Sequence, residues 1–217
     1  MQCARHLNLW ARELGFSRLG ISHARIEANA ATRLKNWLAK GWHGEMDYMA
    51  RHAELRVQPE RLAAGTLTVI TVALDYWPEA DGLAPALAAL AAPERAYLSR
   101  YALGRDYHKV MRQRLQKLAK RMETAIGPFG YRVFADSAPV MEVEFAHQGG
   151  LGWRGKHTLL VSRQGSFRFL GEIYTDLPFP VTPPDSDHCG SCVACLSVCP
   201  TRAIIAPYQL DARRCIS

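Results

Sequence analysis

The densest chemistry in the chain lies in CGSCVACLSVCPTRAI, residues 189–204, which holds four of the six cysteines. Cys189, Cys192, Cys195 and Cys199 stand as C-x2-C-x2-C-x3-C-P, the spacing at which a curled loop brings thiolates onto the corners of an iron–sulfur cubane. The short spacers also leave backbone N–H groups free to bond the sulfides. Pro200 ends the loop, and TRAI is expected to open a short helix. In two-cluster proteins with this spacing, the first three cysteines hold one cluster and the fourth reaches across to the other. Zinc sites instead pair two C-x2-C arms across about a dozen or more residues. A disulfide framework has no need of three thiols this close together.

Two earlier stretches carry more special residues than packing requires. One is YALGRDYH, with Tyr101, Arg105, Asp106, Tyr107 and His108. The other runs from DSAP (136–139) to GLGWRGKH (150–157). Asp136 directly follows a predicted strand, beside Ser137 and Ala138. A carboxylate at a strand's end can face a cleft and serve as a general acid where burial raises its pKa. The same residue type also builds Asx turns and helix N-caps, here for residues 138–140. Gly149, Gly150, Gly152 and Gly155 allow close backbone approach to something flat or bulky, which Trp153 and Lys156 could line. Their spacing matches neither a dinucleotide fingerprint nor a P-loop. The eight histidines form no zinc pattern, and the isolated Cys3 reads as structural.

These residues need elements to position them. Apolar spacing predicts helices over 4–14 and 29–40, a strand over 15–22, and a glycine-broken turn and third helix over 41–52. LTVITVALDYW (67–77) reads as a central strand covered on both faces. The Ala/Pro-rich stretch 78–95 is expected to be a loop. A long helix after residue 107 sets Met111, Leu115, Leu118, Met122 and Ala125 as its apolar stripe, with Arg112, Arg114, Lys117, Lys120 and Arg121 on other faces. A strand within 127–140, a helix over 140–148, and two strands (157–162 and 167–177) around RQGS complete the first domain, residues 1–177. The proline-rich 178–187 marks the boundary before a cluster-binding segment, residues 178–217. The fold class expected is α+β.

With 217 residues, 48% hydrophobic and 22% charged, the composition is that of a globular protein. No apolar run reaches membrane-spanning length. The N-terminus reads as an amphipathic helix rather than a signal peptide. Cysteines gathered at metal spacing argue for a reducing compartment, so the cytoplasm is expected. The net charge of +7 suits a polyanionic partner without naming it.

Taken together, SRYALGRDYHKVMRQRL, FADSAPVMEVEFAHQGGLGWRGKHTLL, FLGEIYTDLPFP and CGSCVACLSVCPTRAI…LDARRCIS resemble the epoxyqueuosine reductases, enzymes of queuosine biosynthesis. The resemblance implies a nitroreductase-like cobalamin-binding domain followed by a ferredoxin-like domain with two [4Fe–4S] clusters. It implies reduction of the epoxide of epoxyqueuosine, in the wobble position of tRNA, to the alkene of queuosine. In that scheme Asp136 is the proton donor, and Tyr101, Arg105, Asp106, Tyr107, His108, Ser137, Ala138, Trp153, Gly155 and Lys156 surround the corrin. Cys189, Cys192, Cys195, Cys199 and Cys215 ligate iron. An external electron donor and a monomeric state are expected.

The sequence departs from the resemblance in two places. Val143 stands where the family carries arginine. The family continues past RRCIS into a second cysteine motif, so the chain is expected to be truncated and to hold at most one labile cluster. Two alternatives share part of the pattern. A reductive dehalogenase joins cobalamin to two clusters but is normally exported behind a twin-arginine signal. A non-catalytic tRNA-binding homologue needs no clusters.

Overall fold

The computed structural model describes residues 2–77 and 82–216, with side chains from His6 onward. Cys3's side chain and residues 78–81 of the expected loop lie outside the described residues. In chain order the elements are α1 (Gln2–Glu13), β1 (Arg18–His23), α2 (Ala28–Ala39), α3 (Asp47–Arg51), α4 (Ala53–Val57), α5 (Pro59–Leu62), β2 (Thr68–Asp75) and α6 (Ala84–Leu90). There follow α7 (Tyr107–Ile126), β3 (Tyr131–Phe134), α8 (Glu142–Gln148), β4 (Trp153–Arg154), β5 (Leu160–Val161) and β6 (Arg168–Thr175). The tail carries α9 (Ala194–Val198), β7 (Ile204–Ala206) and β8 (Gln209–Leu210).

Four strands form one antiparallel sheet in the order β1-β2-β6-β3. The β-branched run TVITVALD puts β2 in the interior of that sheet, and its first six residues are buried. Successive side chains point to opposite faces, so the sheet separates two packed layers. Ile70, Val72 and Ile173 meet Leu7 and Ala11 of α1 and Met111, Leu115, Leu118 and Met122 of α7. On the other face Val69, Phe134 and Tyr174 meet Phe145 of α8. The architecture is therefore a mixed α/β three-layer unit. Leu118 is fully buried, so Leu118→Ala is expected to cost about 2–5 kcal/mol, read as a lower urea midpoint.

Asp106 caps α7 by accepting the His108 N–H at 3.0 Å, and Gly127, at φ 89°, ends the helix. Close approach of α8 to the sheet is set by Gly20, where a Cβ would lie 1.9 Å from the Gly149 carbonyl oxygen. A side chain there would push the helix off β1.

Several local expectations are corrected. Residues 84–90, expected in a loop, are helical because APALAAL consists of strong helix formers behind a proline in the first turn. Within 41–52 the helix is confined to α3, with Met46 preceding it instead of lying inside it, and α4 and α5 follow as two further short helices not expected from sequence. Ala125 is exposed and Ala119 is buried in its stead, because the stripe drifts with the 3.6-residue turn. β5 pairs with β4 rather than with β6, and RQGS closes only a single bridge, Ser162 to Gly165. TRAI is no helix. Arg202, at φ 53°, turns the chain, and Ile204 and Ala206 pair with β8. The helix of this region lies between the cysteines instead, as α9.

The proline-rich stretch runs along β1, with Thr182 N–H donating to the Ile21 carbonyl at 2.8 Å. The tail docks on the preceding residues: Trp37 Nε1–H donates to Leu210 O at 2.7 Å, and Ala212 N–H to Trp42 O at 2.8 Å. No helix among the described residues is long and apolar enough to cross a membrane.

Candidate active site

Asp136 sits in the turn after β3 at φ 58°, in the left-handed region that a non-glycine side chain enters at a cost. That turn aims its carboxylate at the first turn of α7. Tyr107 Oη–H donates to Asp136 Oδ2, and His108 Nε2 stands 3.2 Å from the same oxygen. The other ring nitrogen of His108 is 3.1 Å from Asp106 Oδ1. An imidazole is thus held between two carboxylates, an arrangement that can pass a proton along the line Asp106–His108–Asp136. Burial, and then the hydrogen bond to Asp136, push the Tyr107 phenol well above its usual range, so it remains a donor.

The ring of Tyr107 is fixed by a parallel stack on Phe169, with centroids 4.0 Å apart. Both face a cavity of about 230 Å³, also walled by Tyr76, Glu142, Val143 and Arg168. A second cavity of about 360 Å³ shares Glu142 and Val143 with the first and is lined by Arg33, Trp37, Arg56 and Arg154. In it the buried Glu144 accepts a hydrogen bond from Arg154 and lies 3.7 Å from Arg33. Arg168 reaches into the first cavity with its side chain only 4% exposed. Its Nη1 has no hydrogen-bond partner among the described residues, and its Nε meets Asp75 only as an ion pair at 3.3 Å. Tyr107 has Phe169 stacked on one face and His108 on the other, so the rings offer the cavity their edges beside the spare buried guanidinium N–H of Arg168. Tyr107, Phe169 and Arg168 are the residues that would meet a flat ring with amide oxygens on its rim, such as the corrin of cobalamin.

Two glutamates stand close to Asp136, Glu142 on the cavity wall and Glu172 in β6. Burial and the nearby Asp136 push Glu142 up to about 7, against the pull of the Asp136 N–H and Arg56. Glu172 is fully buried in β6, and neither of its oxygens has a hydrogen-bond partner among the described residues. Burial, then the charges of Glu142 and Asp136, raise its pKa far above the usual range. A carboxyl whose folded pKa is raised holds its proton more tightly in the folded state. Stability is therefore lost as pH rises from the ordinary carboxylate range through the folded value. Glu172→Gln is expected to flatten that loss and to melt at least about 2 °C above the parent at pH 9. An unchanged pH dependence of melting would contradict the assignment.

Of the residues expected from sequence, Asp106, Tyr107, His108, Asp136 and Ser137 come together, with Arg112 donating to Ser137 Oγ at 3.2 Å. Tyr101 is exposed and meets Tyr107 edge-on at 6.4 Å; Arg105 is exposed, and Ala138 packs beside Val140. Trp153, Gly155 and Lys156 face elsewhere. Lys156 Nζ donates to the carbonyls of Gly190 and Cys192 at 2.6 and 2.8 Å, so it braces the cysteine loop. Trp153 stacks edge-on against His188. The glycines admit the chain's own atoms: a Cβ on Gly155 would meet His157, and one on Gly152 the Val161 carbonyl. Missed in the sequence were Tyr76, Glu142, Arg168, Phe169 and Glu172. Arg168 and Glu172 had a signal, since they share the α8-facing side of an otherwise apolar strand, where charge is costly.

Cys189, Cys192, Cys195, Cys199 and Cys215 are free thiols. Cys199 Sγ accepts the Ala203 N–H at 3.2 Å, and backbone N–H groups, that of Ile204 foremost, lower its pKa. That favours a thiolate. Among the described residues, however, no three His, Cys, Asp or Glu side chains converge on a point that could hold a metal. The thiols have the chemistry for a cluster but lack its geometry in this structure.

Residues 56–137 match the family described as epoxyqueuosine reductase QueG, DUF1730. The chain is 54% identical to the epoxyqueuosine reductase of Pseudomonas aeruginosa over 99% of its own length and 59% of that protein. It is 48% identical to the Escherichia coli enzyme over 100% of its own length and 56% of that protein. It thus spans a little under three-fifths of the length of these curated relatives. Two solved structures are similar along the whole chain. One is an epoxyqueuosine reductase with a tRNA-Tyr epoxyqueuosine-modified stem loop, with a TM-score of 0.84 at 28% identity, covering 56% of that chain. The other is the Bacillus subtilis enzyme with its catalytic aspartate loop swung out of the active site, with a TM-score of 0.79 at 26% identity, again covering 56% of that chain.

Proposed function

We propose, from its similarity to the epoxyqueuosine reductases, that the chain carries the catalytic site for reducing the epoxide of epoxyqueuosine in tRNA to the alkene of queuosine. The observation that carries the reading is Asp136, turned into a cavity and contacted there by Tyr107 and His108. The swung-out catalytic loop of the Bacillus subtilis enzyme supports reading DSAP as that loop.

The reaction breaks both C–O bonds of the epoxide, forms a C=C bond, consumes two electrons and two protons, and releases water. Bound against Tyr107 and Phe169, cobalamin would supply a low-valent metal centre able to reduce the epoxide carbon. The protein's part is proton delivery and placement. Asp136 protonates the oxygen, which is otherwise a poor leaving group. Tyr107 keeps the carboxyl oriented, and His108, backed by Asp106, returns a proton to it. The two electrons come from an external reductant.

Substrate binding draws on the positive charge, with Arg105, Lys109 and Arg112 around the mouth of the site. A modified base in a loop can be splayed into a pocket without groove readout. The finer fold reading belongs to the same proposal: a nitroreductase-like unit followed by the start of a ferredoxin-like one. The four-stranded sheet between helical layers and the cysteine spacing support it. A cytoplasmic setting follows from a tRNA substrate. The test is anaerobic incubation of the chain with cobalamin, a chemical reductant and an epoxyqueuosine stem loop. Loss of one oxygen from the nucleoside, by mass, is expected; no conversion, by this chain or by one extended to its relatives' length, would overturn the reading.

A further inference from the structure

Glu142 stands at the start of α8, yet its side chain turns back toward β3. Its Oε1 accepts the Asp136 N–H at 2.7 Å. The other backbone bonds of that turn are local, from Ser137 N–H to Ala135 O at 2.6 Å and from Val140 N–H to Ala138 O at 2.8 Å. The Glu142 bond therefore ties the strained Asp136 to α8. Arg56 grips the same loop from α4, donating to Val140 O at 3.3 Å. We propose that Glu142 is the positioning residue of the Asp136 loop: its carboxylate, by accepting the Asp136 N–H, holds the loop turned into the cavity, and protonation of that carboxylate releases it.

The surroundings make this contact sensitive to charge. Arg56 is the cation facing Glu142, while Asp136 from the loop, Glu172 and Tyr174 from β6 and Tyr107 from α7 crowd it with acidic groups. Burial and Asp136 raise Glu142 to about 7, so its charge changes near neutral pH. An N–H bond to a carboxylate is stronger than one to a neutral acid. The loop is therefore held above pH 7 and loosened as pH falls through it. The proposal deepens the reading of Asp136 as proton donor and rests on it for its consequence in catalysis, though not for the contact itself.

The test is hydrogen exchange at the Asp136 amide, followed by NMR at pH 6 and pH 8 and corrected for intrinsic exchange. Asp136 is exposed, so its protection reports the Glu142 bond. The parent amide is expected to be protected about ten- to hundredfold at pH 8, in line with a hydrogen bond to a charged group, and several-fold less at pH 6. Glu142→Gln keeps an acceptor oxygen but cannot titrate, so its protection should be the same at both pH values. Glu142→Ala should show none at either. Parent protection that is flat from pH 6 to pH 8, or an Ala variant as protected as the parent, would overturn the proposal. Should the Ala variant fail to fold, the Gln comparison alone decides. The exchange result is independent of turnover, so it stands apart from the test of Asp136 as the acid.

Discussion

Asp136→Asn is expected to lower conversion of epoxyqueuosine tRNA by about two to four orders of magnitude, the span of a positioned general acid. The asparagine oxygen can still accept from Tyr107 and His108, so the turn and the cavity wall should persist. It has no acidic proton to give. The epoxide oxygen would then leave unprotonated, and the relay through His108 would end at a group that cannot carry it further. Asp136 is exposed, so the variant should melt within about 0.5 kcal/mol of the parent, as surface substitutions usually do. Cobalamin uptake, read by absorbance, should also be unchanged. Turnover at the parent rate would remove Asp136 from the mechanism.

Affinity for the tRNA stem loop is expected to fall on the order of a thousandfold or more between roughly 50 and 200 mM salt, given about six phosphate contacts. The chain carries 27 Lys and Arg against 20 Asp and Glu. Part of that charge is spent internally: Arg121 pairs with Glu13, Lys120 with Glu123, and Arg154 with Glu144. Arg105 and Arg112 stay exposed beside the site. A flat response to salt, by fluorescence anisotropy, would remove the electrostatic account of binding.

The sequence displayed the frame of this site more clearly than its interior. β2 was legible because an unbroken β-branched run has few other uses, and α7 because its apolar stripe repeats from Met111 to Met122, about three turns. Asp136, Tyr107 and His108 were found as residue types in unusual company. Their meeting required the register of β3 beside β6, which aligned the turn after Phe134 with the start of α7. Glu142 was missed for a related reason: in a single sequence a glutamate at a helix start reads as solvated, and only packing reveals that it turns back to the Asp136 loop. In sequence, glycines that admit a ligand and glycines that admit the chain's own atoms look the same; here a Cβ on Gly152 would meet the Val161 carbonyl and one on Gly155 the His157 and Val161 side chains. TRAI was misread because the left-handed turn at Arg202 overrode its helical propensity.

The most direct test of the central claim is a crystal structure of the Asp136→Asn variant with cobalamin and an epoxyqueuosine stem loop. The corrin is expected against Tyr107 and Phe169, and the epoxide oxygen within about 2.6–3.2 Å of the residue 136 side chain. A modified base seated instead in the cavity of Trp37 and Arg33, with residue 136 facing solvent, would contradict that claim.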